Sequence, residues 1–252
     1  FYYRNLISYF SKKYRVVVPD HIGYGLSEKP KNYKYTLDQH VKNLEKFVEV
    51  LNLKNITLVM HDWGGPIGMG FAVRNSNKIK RLVFFNTGAF RIPEEIQKHK
   101  PWQLMIIRIP LLGNMLVRVF NAFSIFAIIW AICRKERRTA ETKAGLKAPY
   151  TNYSNRVAVL RAVQDIPLSE KDPVHMALWE IEKKLNLFEN TPKIIFWGCK
   201  DFVFNHICLR RWFDFYPNAE VHQFEDAGHY VVEDAYERII PKMEDFLNKN
   251  PI

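Results

Sequence analysis

A chain of 252 residues, 48% hydrophobic and 14% aromatic, holds enough apolar material for one sizeable core, so it reads as one domain or one domain carrying an insertion. Its formal charge of +11 is basic, yet Lys and Arg are scattered apart from short clusters such as residues 134–138, and no nucleic-acid motif accompanies them; the scatter and the missing motif argue against a nucleic-acid partner and leave peripheral contact with an acidic membrane surface open. Cys133, Cys199 and Cys208 are odd in number and not in C-x-x-C spacing, which argues against a disulfide framework or a zinc site and fits a reducing, cytoplasmic setting.

The chain begins at Phe1 in helix-like sequence and reads as truncated there. A first apolar run, RVVVPD (15–20), is expected to form a strand. Next comes TLDQHVKNLEKFVEVLNL, where Val41, Leu44, Val48 and Leu51 recur at helical spacing and Thr36 with Gln39 makes a capping box. ITLVM (56–60) and RLVFFN (81–86) follow as strands. Their continuous rather than alternating apolar character predicts burial on both faces, as in a parallel sheet. Strand, helix, strand in this order is α/β architecture.

Residues 87–192 break the rhythm, because they are far more than one crossover helix needs. They are expected to form an inserted helical cap, with residues 1–86 and 193–252 as the core. The first half of the insertion is very apolar, but its longest uncharged run, Val119–Cys133, is short for a membrane span. A buried or groove-lining helix is the expectation there. KIIFWG (193–198) and AEVHQFE (219–225) read as the last strands. Pro241 predicts a helix ending near Ile240 and another starting at the proline.

The chemistry gathers at HDWGG (61–65), a sharp strand-to-helix turn with a reactive group at its apex. Serine esterases carry G-x-S-x-G at such a turn; here the apex is Asp62 and Met60 stands two before it. Gly64 is expected to relieve the turn, and Gly65, Gly68 and Gly70 to let the helix approach the sheet. A carboxylate at the apex attacks carbon and forms an ester. His229, in a glycine-preceded loop after the last strand, is the candidate base or proton shuttle. His21, His40, His61, His99, His175, His206 and His222 read as surface or local hydrogen-bonding residues. Asp201, just past the carboxyl end of a strand, is the candidate orienting acid; Asp226, Glu233 and Asp234 read as surface or helix-start charges.

Asp62 in HDWGG, Asp201 after WGCK, His229 in DAGHY and the loop PDHIGYGLSEKP (19–30) together resemble the α/β-hydrolase superfamily, in its aspartate-nucleophile branch of haloalkane dehalogenases and epoxide hydrolases. The resemblance covers nearly the whole chain. It implies a mostly parallel sheet with helices on both faces and an inserted helical cap, with the fold's N-terminal strands and a His-Gly segment of the oxyanion hole upstream of Phe1. It implies no metal and no cofactor. It implies that Trp63 supplies donors to a leaving-group or oxyanion pocket. Asn86 stands where one dehalogenase subgroup has its triad glutamate and cannot act as a carboxylate, which leaves Asp201 as the acid and Asn86 as a pocket or structural hydrogen-bonder. Epoxide hydrolases need two cap tyrosines, for which Tyr150 and Tyr153 are the nearest candidates.

NTGAF, PLLGNMLVRVFNAF, APYTNYSNR, QDIPLS and WGCKDFVF are similar to the β-lactone decarboxylases of bacterial long-chain olefin biosynthesis. That similarity implies an apolar lactone substrate, conversion to an alkene, and assembly with the other olefin-forming enzymes. Haloalkane dehalogenase is the second expectation and epoxide hydrolase the third. A binding or scaffold protein on the same fold is the non-enzymatic one.

Overall fold

The computed structural model describes residues 1–98, 102–167 and 169–252; His99 lies outside them. Among the described residues four strands form one parallel sheet in the order β1 (Ile56–Met60), β2 (Ile79–Phe85), β3 (Lys193–Gly198) and β4 (Glu220–Phe224). In β2, Leu82 and Phe84 pack to one side of the sheet, while Val83 and Phe85 pack to the other. In β3, Ile195 and Trp197 alternate in the same way with Ile194 and Phe196. All eight are essentially inaccessible, which is why these runs are apolar without a break. Replacing such a side chain by alanine costs about 3–5 kcal/mol for the aromatic ones.

Helices cover both faces. On one lie α2 (Leu37–Val50), α3 (Gly64–Arg74), α10 (Pro173–Glu182) and α11 (His206–Phe215); on the other lie α1 (Arg4–Phe10) and α12 (Val231–Lys249). Between β2 and β3 run α4 (Glu94–Lys98), α5 (Trp102–Arg108), α6 (Pro110–Asn114), a π-helical turn at Met115–Val119, α7 (Ala122–Ala131), α8 (Ala140–Lys147) and α9 (Val157–Asp165), and then α10. Val174, Leu178 and Ile181 of α10 join the cluster against the sheet. Val117, Val159 and Leu160 form a separate small core with Ile107, Phe123 and Tyr150. Among the described residues no single helix is long and apolar enough to cross a membrane. Pro110–Val119 and Ala122–Ala131 pass that test only as a pair, and the pair bends by 71°.

Three local expectations are corrected. Residues 15–20 are not a strand: no strand lies alongside them among the described residues, Val18 is 46% exposed, and without a ladder partner an apolar run has nowhere to place its backbone N–H and C=O groups. The capping box at α2 is half formed. Thr36 accepts from the Gln39 N–H, but the Gln39 side chain donates onward to Asn43 Oδ1, 3.1 Å away. The break expected at Pro241 falls instead at Ala235 (φ −139°, ψ 17°), and the helix runs through the proline. Ile239, Met243, Phe246 and Leu247 bury one stripe of that helix, and this outweighs a missing rung that costs about 3 kcal/mol.

Candidate active site

The turn after β1 places Asp62 between strand and helix with φ 50°, in the left-handed region where Asp is tolerated better than most side chains. Its backbone is held on both sides. Asp62 N donates to the Asn86 carbonyl at 3.0 Å, and its own carbonyl accepts from Gly65 N at 3.0 Å and Thr87 Oγ1 at 2.5 Å. The next residue of the turn, Trp63, leads into α3.

The expected role of Gly64 is overturned. A Cβ there would meet nothing within 4 Å, because the turn puts its positive φ on Asp62 itself. Gly65 is the glycine the site needs: a Cβ there would fall 1.9 Å from Thr87 Oγ1, the hydroxyl that braces Asp62.

His229 sits on the loop between β4 and α12, buried, with Nδ1 2.8 Å from Asp201 Oδ2 and Nε2 3.9 Å from Asp62 Oδ2. Because the aspartate only accepts, Nδ1 carries the proton of the short bond. The second Asp201 oxygen accepts from Val203 N (2.7 Å) and Phe204 N (3.1 Å), so the carboxylate is fully engaged and fixed. Asp62, after β1, thus meets Asp201 and His229, which follow β3 and β4, on the carboxyl-end side of the sheet, the usual location of sites in open α/β sheets.

Burial alone would lower the His229 pKa, but Asp201, by charge and by hydrogen bond, and Asp62, by charge, together push it up to about 9. Burial raises the Asp62 carboxyl above its ordinary value, opposed by the His229 charge and a bond from the Trp63 backbone N–H. The Asp62 side chain is nevertheless 41% exposed, so the densely surrounded carboxylate still has an open approach. Phe204 stacks on His229 with ring centres 5.9 Å apart, and Phe202 of the same loop meets Trp130 of α7 edge-on at 6.3 Å. Phe204 thus lies against His229, and the loop that carries it reaches α7 through Phe202.

Of the two roles expected for Asn86, the structural hydrogen-bonder is the one its contacts fit. The residue is fully buried and its amide is consumed by the backbone: Oδ1 accepts from Gly198 N (2.7 Å) and Nδ2 donates to the Gly198 carbonyl (3.0 Å). It ties the elbow to the end of β3, from which Asp201 departs. Trp63 is partly buried against the sheet cluster. Tyr153 turns to the surface, 44% exposed, with Arg118 over its ring and Asn114 at its hydroxyl. Tyr150 packs with the small helical core. Among the described residues, neither phenol bonds to Asp62 or His229.

Sequence reasoning missed three supports. His61 Nε2 donates to the His229 carbonyl at 2.8 Å, and burial followed by the nearby His229 charge holds it neutral. Asp234, completely buried, accepts from Gly228 N (2.8 Å), Cys133 N (2.9 Å) and Arg134 N (2.9 Å). It thereby joins the histidine loop to the end of α7, and Tyr230 N reinforces the joint by donating to the Ala131 carbonyl at 2.8 Å. Glu233, also buried, receives a two-pronged bond from Arg4 (2.7 and 2.8 Å) and the Thr142 hydroxyl. Glu233 and Asp234 do stand in the first turn of α12, as helix-start charges should, but both are buried there; Asp226 is the surface acid, pairing with Arg238.

The alpha/beta hydrolase fold family model matches residues 1–236. The chain belongs to the α/β-hydrolase fold family. It is 44% identical over 252 residues to the cis-3-alkyl-4-alkyloxetan-2-one decarboxylase of Shewanella oneidensis, covering 99% of this chain and 78% of that one. It is 41% identical to the protein of the same name in Xanthomonas campestris pv. campestris, over 99% and 85% of the two chains. The solved haloalkane dehalogenase DatA from Agrobacterium tumefaciens C58 superposes with a TM-score of 0.79 at 24% identity, over 92% of this chain and 79% of that one, a likeness of fold. This hydrolase-fold chain is an enzyme by that membership and by those relatives.

Proposed function

We propose that this enzyme converts cis-3,4-dialkyl β-lactones into alkenes and CO2, with Asp62 as nucleophile, His229 as its charged partner and Asp201 as the group that orients His229. The observation that carries the reading is the aligned Asp201–His229–Asp62 constellation in a chain 44% identical to a named oxetan-2-one decarboxylase.

The ring offers two electrophilic carbons. Attack at the carbonyl would leave an alkoxide on C4, and making an alkene would then require expulsion of oxide. Attack at C4 instead breaks the C4–O bond and leaves its electron pair on a carboxylate, forming an alkyl ester with Asp62. The C3–carboxylate bond then breaks, its pair becomes the C3=C4 double bond, and the C4–Asp62 bond breaks to return the free carboxylate. CO2 departs and no water is consumed.

In this scheme His229 acts as a cation, which suits a pKa raised to about 9. As Asp62 loses its charge to the ester, the newly freed substrate carboxylate replaces it beside the imidazolium, so the histidine stays charged. Phe204 at His229, with Phe202 and Trp130 further along the same loop and α7, offers apolar surface that suits alkyl chains. The helices between β2 and β3 are inferred to act as a cap over this pocket, and Trp63 as a donor within it. Place in long-chain olefin formation and a cytoplasmic setting belong to the same proposal.

A haloalkane dehalogenase is the second reading, favoured by the same Asp62–His229–Asp201 set, which that chemistry also uses. There Asp62 displaces halide and neutral His229 activates water against the ester. Purified enzyme incubated with a cis-3,4-dialkyloxetan-2-one separates the two. Alkene and CO2 in equal amounts support the decarboxylase. An untouched lactone together with halide release from a bromoalkane overturns it.

A further inference from the structure

Helix α6 with the π-helical turn that continues it, and α7, are apolar on nearly every side, with Asn114, Arg118 and Ser124 the exceptions, yet much of each is uncovered. From the first, Gly113 and Val117 turn inward; Leu111 (82%), Met115 and Val119 form an exposed stripe at i, i+4, i+8, continued by Phe120 (61%). From the second, Ile128 and Ala131 turn inward, while Ile125 and Ile129 face solvent. A helix apolar on every side belongs inside a protein or against lipid. Asn121 (φ 53°) sits at the 71° bend, and two short helices set at that angle suit lying along a bilayer surface.

The charge distribution points to the occupant. Residues 102–161 hold ten Lys and Arg against Glu136 and Glu141, a net +8 of the chain's +11 in under a quarter of its length. Arg108, Arg134 and Arg137 are paired with carboxylates, and Arg156 is buried among backbone carbonyls. Arg138 is likewise spent on the Ile132 carbonyl (2.9 and 2.6 Å), and among the described residues the other five, Arg118, Lys135, Lys143, Lys147 and Arg161, form no ion pair. Arg118 lies within the exposed stripe, Lys135 follows α7 and Lys143 and Lys147 lie on α8, which packs against α7. A second copy of this chain would bring the same positive charge against itself; an acidic lipid surface complements it.

We propose that the outward face of α6 and α7 docks on an anionic lipid bilayer, with the apolar stripe in the headgroup region and the cations against lipid phosphates. The proposal does not depend on the substrate. The test is co-sedimentation of the protein with phosphatidylcholine vesicles, with or without about 30 mol% phosphatidylglycerol, at low salt and at about 0.5 M salt.

Mixed vesicles should bind about tenfold more tightly than pure phosphatidylcholine, with high salt removing most of the difference. Leu111→Ser with Phe120→Ser should weaken binding about tenfold while leaving the thermal melt and turnover of a water-soluble substrate unchanged. Lys143→Glu with Lys147→Glu, which removes no packing, should weaken binding to the mixed vesicles alone. Absence of binding to mixed vesicles overturns the proposal, as does binding indifferent to both double variants. So does a lipid-free dimer that Leu111→Ser with Phe120→Ser dissolves, since the face would then join two copies of the chain.

Discussion

His229 Nδ1 and Asp201 Oδ2 lie 2.8 Å apart, and this contact sets both the orientation and the charge of the histidine. Asp201 is the larger of the two influences raising the His229 pKa; Asp62 supplies the rest. In Asp201→Asn, burial prevails and the His229 pKa falls. The wild-type pH profile of kcat/KM should have a basic limb near 9, and an acid limb above the ordinary aspartate value because the Asp62 pKa is raised. Asp201→Asn should pull the basic limb down by roughly one unit or more and cut kcat by on the order of 10²–10⁴. A variant profile with an unmoved basic limb would assign that limb to another group.

The same pair has a stability signature. A histidine whose pKa is higher folded than unfolded stabilises the fold fully below its unfolded pKa, 6.5, and loses that contribution as pH rises through the folded pKa, about 9. The gap in Tm between wild type and Asp201→Asn should therefore be widest near pH 6 and shrink by about pH 9.5. Thermal melts across that range check it.

Covalent chemistry at Asp62 has a mass signature. Replacing His229 by Phe removes the cation but leaves the nucleophile 41% exposed. With a bromoalkane, water activation is lost, and the protein should gain the alkyl group less one hydrogen, mapped to Asp62 by digestion. With a β-lactone any trapped ester should instead weigh the whole lactone, since ring opening expels nothing. Asp62→Asn should show neither adduct and lose at least about 10³-fold in activity. Intact-mass spectrometry reads both, and an adduct on any other residue would sink the assignment.

The two glycines of the elbow should behave oppositely. Gly65→Ala drives a Cβ to 1.9 Å from Thr87 Oγ1 and should displace the hydroxyl that braces Asp62. A cost of about 1–3 kcal/mol in stability is expected, with a larger proportional loss of kcat than of KM. Gly64→Ala enters open space and should change stability by no more than about 1 kcal/mol. Denaturant titration and steady-state kinetics on the pair check this.

What could be read from sequence follows from how local each signal is. The runs in β2 and β3 announce doubly buried strands because Leu82–Phe85 and Ile194–Trp197 alternate between two helix-covered faces. Asp62, Asp201 and His229 were legible because each stands at a strand end beside a recognisable turn. The run at 15–20 misled, since its character is strand-like but a strand also needs a neighbour, which no local pattern encodes. Glu233 and Asp234 misled for the opposite reason. Acids at a helix start are usually solvated, and only the fold shows Arg4 and the Cys133 and Arg134 amides closing over them. For Asn86 position alone leaves a pocket role and a structural hydrogen-bonding role open, and only the fold shows its amide bonded to Gly198.

Asp234 carries the last prediction. One oxygen accepts from Gly228 N and Cys133 N, the other from Arg134 N, so a single carboxylate fixes the residue before His229 and the exit of α7 together. Asn has the same shape but offers only one accepting oxygen. In either orientation its NH2 meets at least one backbone N–H that formerly donated. Asp234→Asn should cost about 1–3 kcal/mol in stability and loosen the His229 loop. If the residue only held the fold, kcat and the pH profile would survive wherever the protein remains folded. Because Gly228 and His229 are adjacent, kcat should instead fall about tenfold or more at temperatures well below the melt, with the basic limb shifted from its wild-type position near 9. Asp234→Ala, which removes the acceptor without adding a competing donor, separates the causes. It should share the loss of kcat; a full recovery of kcat in Ala would place the defect in the added amide rather than in the missing bonds.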